Sequence, residues 1–99
     1  MSYAPSPFAD ERVMSISASE FAASIALTGA HTLNADGTVV FDIGRGRVEI
    51  TFAELPGVRL GGLLHLPRAK VCLKFHDVSP EQRTQFLRLF DVAFQRGGG

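Results

Sequence analysis

The residues best suited to catalysis or metal binding are one cysteine and three histidines: His31, His65, Cys72 and His76. Cys72 and His76 fall on the same face of a predicted strand, but four residues at about 3.3 Å each separate them by about 13 Å, too far for one metal ion. Lys70 and Lys74 flank Cys72 on that face, yet no histidine is forced close enough to serve as its base. The pattern therefore predicts no catalytic residue, no metal site and no cofactor.

Two glycine-containing segments are candidates for phosphate binding, residues 44–47 and residues 57–62. Neither matches G-x-x-x-x-G-K-[ST] or G-x-G-x-x-G, and neither opens a helix whose backbone amides would face a phosphate. The chain also lacks a G-x-S-x-G nucleophile turn. We therefore expect no nucleotide site and no enzyme activity.

Basic residues are unevenly distributed, although the formal net charge is zero. Residues 37–76 carry six Arg and Lys against three Asp and Glu, whereas residues 1–36 carry one Arg against four Asp and Glu. Strand alternation places four cations on one open sheet face: Arg47, Arg68, Lys70 and Lys74. Weak binding of an anionic ligand or RNA is therefore one hypothesis. RNA-binding sheets also need exposed aromatic rings, however, and Phe41, Phe52 and Phe75 are predicted to point inward.

An apolar segment, residues 53–67, has no clear secondary structure in the sequence. Pro56-Gly57 indicates a turn, and Gly61-Gly62 indicates flexibility. Four leucines have no strong element to bury them: Leu60, Leu63, Leu64 and Leu66. Our leading hypothesis is therefore a small non-enzymatic accessory or protein-interaction module, with an unidentified protein contacting this patch.

The C-terminal residues 95–99 read Gln-Arg-Gly-Gly-Gly. This ending resembles those of ubiquitin-like modifiers and bacterial sulfur carriers, in which a Gly-Gly tail enters the channel of an activating enzyme. The resemblance implies a carrier activated at its C-terminal glycine, which is a third hypothesis. The tail follows a strand in those families, whereas here it follows a predicted helix.

Two helices have clear starts. Ser17 with Glu20 forms a capping box, as does Ser79 with Gln82. The first helix is predicted over 17–28, and the second runs from the second capping box to the terminal glycines.

Alternating apolar residues predict a short strand over 11–16, a hairpin over 39–52 and a strand over 68–76. In the hairpin, matching the apolar faces predicts Arg45-Gly46 as the two-residue turn. The corresponding cross-strand pairs are Ile43–Val48, Phe41–Ile50 and Val39–Phe52. The predicted core includes seven residues: Phe41, Ile50, Val71, Leu73, Phe75, Phe86 and Phe90.

The order of elements predicts an α+β two-layer sandwich, β-α-β-β-β-α, with an antiparallel sheet of three to four strands and two helices on one face. We expect a disordered tail over 1–10, a single domain over 11–96 and a flexible glycine tail over 97–99. One cysteine allows no internal disulfide, and no apolar run approaches the ~20 residues of a membrane span. These features favour a soluble cytoplasmic protein without a membrane partner.

Overall fold

The computed structural model describes residues 8–62 and 64–96. Seven elements follow one another along the chain: β1 (Phe8–Met14), α1 (Ala18–Thr28), β2 (Thr32–Leu33), β3 (Val39–Ile43), β4 (Gly46–Leu60), β5 (Leu64–His76) and α2 (Pro80–Arg96). The strands form one sheet in the order β1-β5-β4-β3-β2, with antiparallel neighbours throughout. The α+β class is as predicted. None of the described helices is both long and apolar enough to cross a membrane.

The sheet differs from the prediction in its number of strands, five rather than three to four. The additional strand is β2, whose two residues pair with Val39 and Val40 and are too short to show any sequence periodicity. β1 also begins at Phe8, so residues 8–10, which we expected in the tail, pair with β5. Residues 1–7 and 97–99 of the predicted tails lie outside the described residues.

Both helices start where the capping boxes predict. The Ser17 hydroxyl accepts a hydrogen bond from the Glu20 amide at 3.2 Å, and the Ser17 amide donates to the Glu20 carboxylate at 2.9 Å. Ser79 and Gln82 make the same reciprocal pair, each bond 3.1 Å long. These bonds satisfy amides that have no partner within the first turn of a helix.

The core lies between the two helices and one face of the sheet. The Phe86 ring of α2 contacts those of Phe41 and Phe75, and the Phe21 ring of α1 contacts that of Phe52. Of the seven predicted core residues, six are buried and Phe86 is half-buried. Strand β5 alternates as predicted, with Ala69, Val71, Leu73 and Phe75 directed into the core.

The predicted register of the first hairpin is wrong by two residues. The observed partners are Ile43–Gly46, Phe41–Val48 and Val39–Ile50, so the turn is Gly44-Arg45 and not Arg45-Gly46. Gly44 has a φ of +56°, as the first turn position of a type II′ hairpin requires. Gly46 has a different role, because a Cβ there would lie 2.0 Å from the His76 carbonyl oxygen. A two-residue shift keeps every side chain on its predicted face, so the apolar pattern could not distinguish the registers.

Candidate interaction surface

Strands β4 and β5 extend beyond the rest of the sheet as a two-stranded ribbon, defined here as residues 55–60 and 64–68. β3 pairs with β4 no further than Ile50, and β1 pairs with β5 only from Ala69 onward. Ribbon residues therefore have strand partners only in each other within the described chain. At the base of the ribbon, the Ser15 hydroxyl donates a hydrogen bond to the Pro67 carbonyl at 3.1 Å. The described residues extend 58 Å in the longest direction and 27 and 26 Å in the others. The 15 residues of β4 account for most of that length, about 46 Å at 3.3 Å per residue.

The ribbon corrects our expectation that residues 53–67 have no regular structure. Leu55 pairs with Arg68 and Val58 pairs with Leu66, so β4 advances three residues while β5 advances two. This extra residue is a β-bulge at Pro56-Gly57, which the sequence indicated only as a turn. At the far end, Gly61 and Gly62 adopt φ values of +62° and +75°, and the chain reverses there.

The bulge determines which side chains share a face of the ribbon. In the body of the sheet, even-numbered residues of β4 such as Val48 and Ile50 face the helices. One extra residue reverses that alternation, so Val58 and Leu60 lie on the face that points away from the helices, which we call the open face. Their cross-strand partners Leu66 and Leu64 lie on the same face.

Five aliphatic side chains thus form an apolar stripe on the open face of the ribbon: Leu55, Val58, Leu60, Leu64 and Leu66. Leu60 is 51% exposed, Leu64 52% and Val58 37%, and the other two are half-buried. The opposite face of the ribbon carries the pair Arg59–His65. Of the predicted leucine patch, Leu60, Leu64 and Leu66 come together in this stripe, whereas Leu63 lies outside the described residues.

The sequence did not identify Leu55 and Val58 as members of the stripe. Leu55 precedes the bulge and follows the ordinary alternation of β4, whereas Val58 depends on the bulge, because without it the side chain would face the other way. The only sign of the bulge in the sequence was the Pro56-Gly57 pair in front of alternating apolar residues. The structure shows why the glycine suits this position: a Cβ at Gly57 would lie 2.4 Å from the Nε2 atom of His65.

The four predicted cations of the open face do lie on that face, in register with one another. Across β4 and β5, Arg47 is opposite His76 and Glu49 is opposite Lys74, while Lys70 and Arg68 face Ala53 and Leu55. Arg68 and Lys74 are six residues apart on one strand, which is about 20 Å. The four side chains therefore form a row and do not converge on one small anion.

Acidic residues from β1 and β4 neutralise part of that row. Lys70 Nζ lies 3.3 Å from a carboxylate oxygen of Glu11, and Arg47 Nε lies 3.8 Å from one of Glu49. Glu49 also accepts a 2.6 Å hydrogen bond from His76 Nε2 when that nitrogen is protonated. Within the part of the chain that the structure describes, Arg68 and Lys74 make no ion pair.

Cys72 lies half-buried in a shallow polar depression of about 380 Å³ on the same face, beside Lys70 and Lys74. Its cross-strand neighbours are Thr51 and Glu11, and no histidine lines the depression among the described residues. No group of three potential metal ligands occurs in residues 8–62 and 64–96. The described residues therefore show no nucleophile with an adjacent imidazole base at this position.

An apolar groove of about 480 Å³ lies between the outer sides of α1 and α2. Leu27, Leu89 and Val92 line it and are 58%, 53% and 45% exposed. These residues lie on helices that pack against the core, whereas no described helix covers the ribbon. Leu27 and Leu89 therefore provide controls matched in exposure to the leucines of the ribbon.

Comparison with known proteins gives no relative from which a role could be transferred: no protein-family model matches the chain, and neither the curated proteins nor the solved structures give a significant match.

Proposed function

We propose that the protein is a non-enzymatic interaction module that binds another protein through the ribbon. The observation that carries this proposal is the apolar stripe on a two-stranded ribbon that, beyond its base near Ser15, no described helix or strand covers. Isolated two-stranded ribbons are at best marginally stable in water, and exposed apolar patches on soluble proteins commonly mark contact sites. A partner that covers the stripe would remove aliphatic surface from water and fix the ribbon at the same time.

The charge pattern specifies the chemistry of the partner. Residues 55–76 contain no Asp or Glu, but they contain Arg59, Arg68, Lys70 and Lys74. From Leu55 to Arg68 the charged side chains are therefore cationic, with Arg68 on the open face and Arg59 on the opposite face. The nearest acid along the chain, Glu54, lies on the opposite face, since it pairs with the buried Ala69. A complementary partner has an apolar groove bordered by carboxylates, since opposite charges across an interface favour the correct encounter.

The test is affinity capture from the native cell with three purified baits: the wild type, Leu60→Asp with Leu64→Asp, and Leu27→Asp with Leu89→Asp. The two double variants introduce the same charges at side chains of nearly equal exposure, so only position differs. Equal melting temperatures for the three baits establish that folding is unaffected. We expect one protein to be captured by the wild type and the helix variant and lost from the ribbon variant.

Recovery of the same proteins with all three baits would contradict the proposal, as would loss with the helix variant alone. Binding of the purified partner then provides a second measurement. Raising the salt concentration is expected to slow association, because Arg68 lies beside the apolar stripe on the open face.

An RNA strand is the second candidate ligand. Arg68 and Lys74 support it, because both lack an ion-pair partner in the described chain and lie about 20 Å apart along one strand, a spacing that suits an extended polyanion. Glu11 and Glu49 weigh against it, because they neutralise the other two cations of the row, Lys70 and Arg47. Titration with a single-stranded RNA, followed by NMR, tests this candidate through shifts at Arg68 and Lys74 that weaken steeply with salt.

The carrier hypothesis concerns Gly97–Gly99, outside the described residues, and stays a prediction.

A further inference from the structure

β1 is the outermost strand on its side of the sheet. It pairs with β5 along one edge, and no described residue pairs with its other edge. This free edge is seven residues long, whereas the edge strand at the other side of the sheet, β2, has only two residues. Phe8 is 43% exposed and Val13 is 59% exposed. An unpaired edge of this length is a template for a further strand.

The side chains of β1 are arranged symmetrically about Glu11. Asp10 and Arg12 lie on the helix side, in register with the core residues Leu73 and Val71 of β5. Ala9 and Val13 lie on the open face, two residues to either side of Glu11. If a second β1 lies antiparallel with Glu11 at the centre, Phe8 faces Met14, Ala9 faces Val13 and Asp10 faces Arg12. Six of the seven pairs therefore join apolar with apolar or acid with base.

We propose that two copies of the chain pair through their β1 strands in this register and form one continuous antiparallel sheet of ten strands. The interface is two-fold symmetric, so each Asp10–Arg12 contact occurs twice. The like-charged central pair, Glu11 with Glu11, lies on the open face, where each carboxylate is 3.3 Å from Lys70 of its own chain. This cation offsets the repulsion at the symmetry axis.

Other registers are less favourable. A shift of two residues in either direction brings Arg12 opposite Arg12 or Asp10 opposite Asp10. A shift of one residue pairs side chains from opposite faces, so the helices of the two copies would lie on opposite sides of the sheet. The Glu11-centred register therefore keeps both helix layers together and pairs all seven residues.

Two charged residues of helix α2 favour the same antiparallel arrangement of the two copies. Arg83 lies over the Phe8 ring, 3.9 Å from its centroid, and Asp91 accepts a hydrogen bond from Arg12. The cation Arg83 therefore lies above the Phe8 end of β1, and the anion Asp91 lies above Arg12, nearer the opposite end of the strand. Antiparallel pairing brings Arg83 of each chain towards Asp91 of the other, which favours the proposed orientation.

Disulfide trapping tests the register directly. In a Cys72→Ser background, Glu11→Cys places two thiols opposite each other across the axis, where strand partners have Cα atoms about 4.5–5.5 Å apart, within the range of a disulfide. We expect a covalent dimer on mild oxidation. Ala9→Cys alone is expected to form no covalent dimer, because its symmetry mate lies about 13 Å away along the strands. An Ala9→Cys chain mixed with a Val13→Cys chain is expected to couple.

Sedimentation of the unmodified chain gives the independent measurement. Dimerisation should increase with concentration and should weaken at least tenfold in Val13→Lys, with no change in Leu33→Lys, a similarly exposed leucine of the other edge strand. A wild type that stays monomeric at all concentrations overturns the proposal. Coupling of Ala9→Cys with itself as fast as Glu11→Cys overturns it too, because that pattern indicates random collision.

Discussion

The two halves of the β4–β5 hairpin consist of similar residues in different surroundings. In the body, Val48, Ile50, Val71 and Leu73 are all fully buried, whereas in the ribbon Val58, Leu60 and Leu64 are between 37% and 52% exposed. Both halves alternate, and both present aliphatic side chains on one face. The body has helices above it and strands on both sides, whereas among the described residues no helix covers the ribbon and no further strand flanks it. An apolar alternation thus specifies a face, while the neighbouring elements decide whether that face meets a core or a partner.

The bulge at Pro56-Gly57 adds a second difference between the body and the ribbon, namely the direction in which their apolar side chains point. The apolar face of the body points towards the helices, and the apolar stripe of the ribbon points the opposite way. One sheet therefore has its folding surface on one side and its proposed binding surface on the other. The two surfaces meet different selective demands although the same two strands build both.

The largest difference between the two halves should appear on truncating their apolar side chains. Phe90→Ala, beneath the body, is expected to lower the free energy of unfolding by about 3–5 kcal/mol, because it leaves a cavity in a closed core. Leu64→Ala in the ribbon is expected to change it by less than about 0.5 kcal/mol. Chemical denaturation measures both values. Similar losses for the two variants would show that the ribbon packs against the body in solution.

Two glycines sharpen the comparison at the level of the backbone. Gly46→Ala directs a Cβ at the carbonyl oxygens of His76 and Asp77, which belong to the main chain, so we expect a loss of about 1–3 kcal/mol in global stability. Gly57→Ala directs its Cβ at the His65 imidazole, which can rotate away, and at the Leu66 carbonyl oxygen, 2.9 Å away within the ribbon itself. We expect this variant to change amide hydrogen exchange in the ribbon and to leave exchange in the body unaltered. Uniformly faster exchange throughout the chain would contradict the separation of the two halves.

Capping of α1 gives a smaller effect, confined to the body. Ser17→Ala removes the acceptor of the Glu20 amide, and we expect a loss of about 1 kcal/mol in thermal or chemical unfolding. Ser17→Asp keeps an acceptor and is the matched control. Neither substitution should alter capture of a partner through the ribbon, since α1 contributes no side chain to the apolar stripe.

The smallest expected effect is that of the stripe on folding. Leu60→Asp with Leu64→Asp should leave the melting temperature within experimental error of the wild type, because both side chains are already about half exposed. Thermal unfolding monitored by circular dichroism measures it. A marked decrease would mean that the stripe stabilises the isolated chain, and it would remove the contrast on which the proposed function depends.

Local signals predicted the helices well, because each capping box is complete within four residues and depends on no distant contact. The strand faces in the core were predictable for the same reason. The hairpin register was not, because Gly44 and Gly46 both suit a turn, and the deciding contact is between Gly46 and the distant residue His76. The ribbon was not predicted either, since a bulge breaks the alternation from which strands are recognised. The sequence showed its leucines only as apolar residues that no predicted element would bury.

The length of the ribbon can change without altering the rest of the fold. Because residues 55–60 and 64–68 pair only with one another in the described chain, two residues added to each strand would move the tip about 7 Å further out and leave the body unchanged. A single residue added to one strand alone would instead turn the side chains beyond it to the opposite face. Homologous chains could therefore differ in reach by even steps and in the side they present by odd ones, a simple means of diversifying recognition on a constant scaffold.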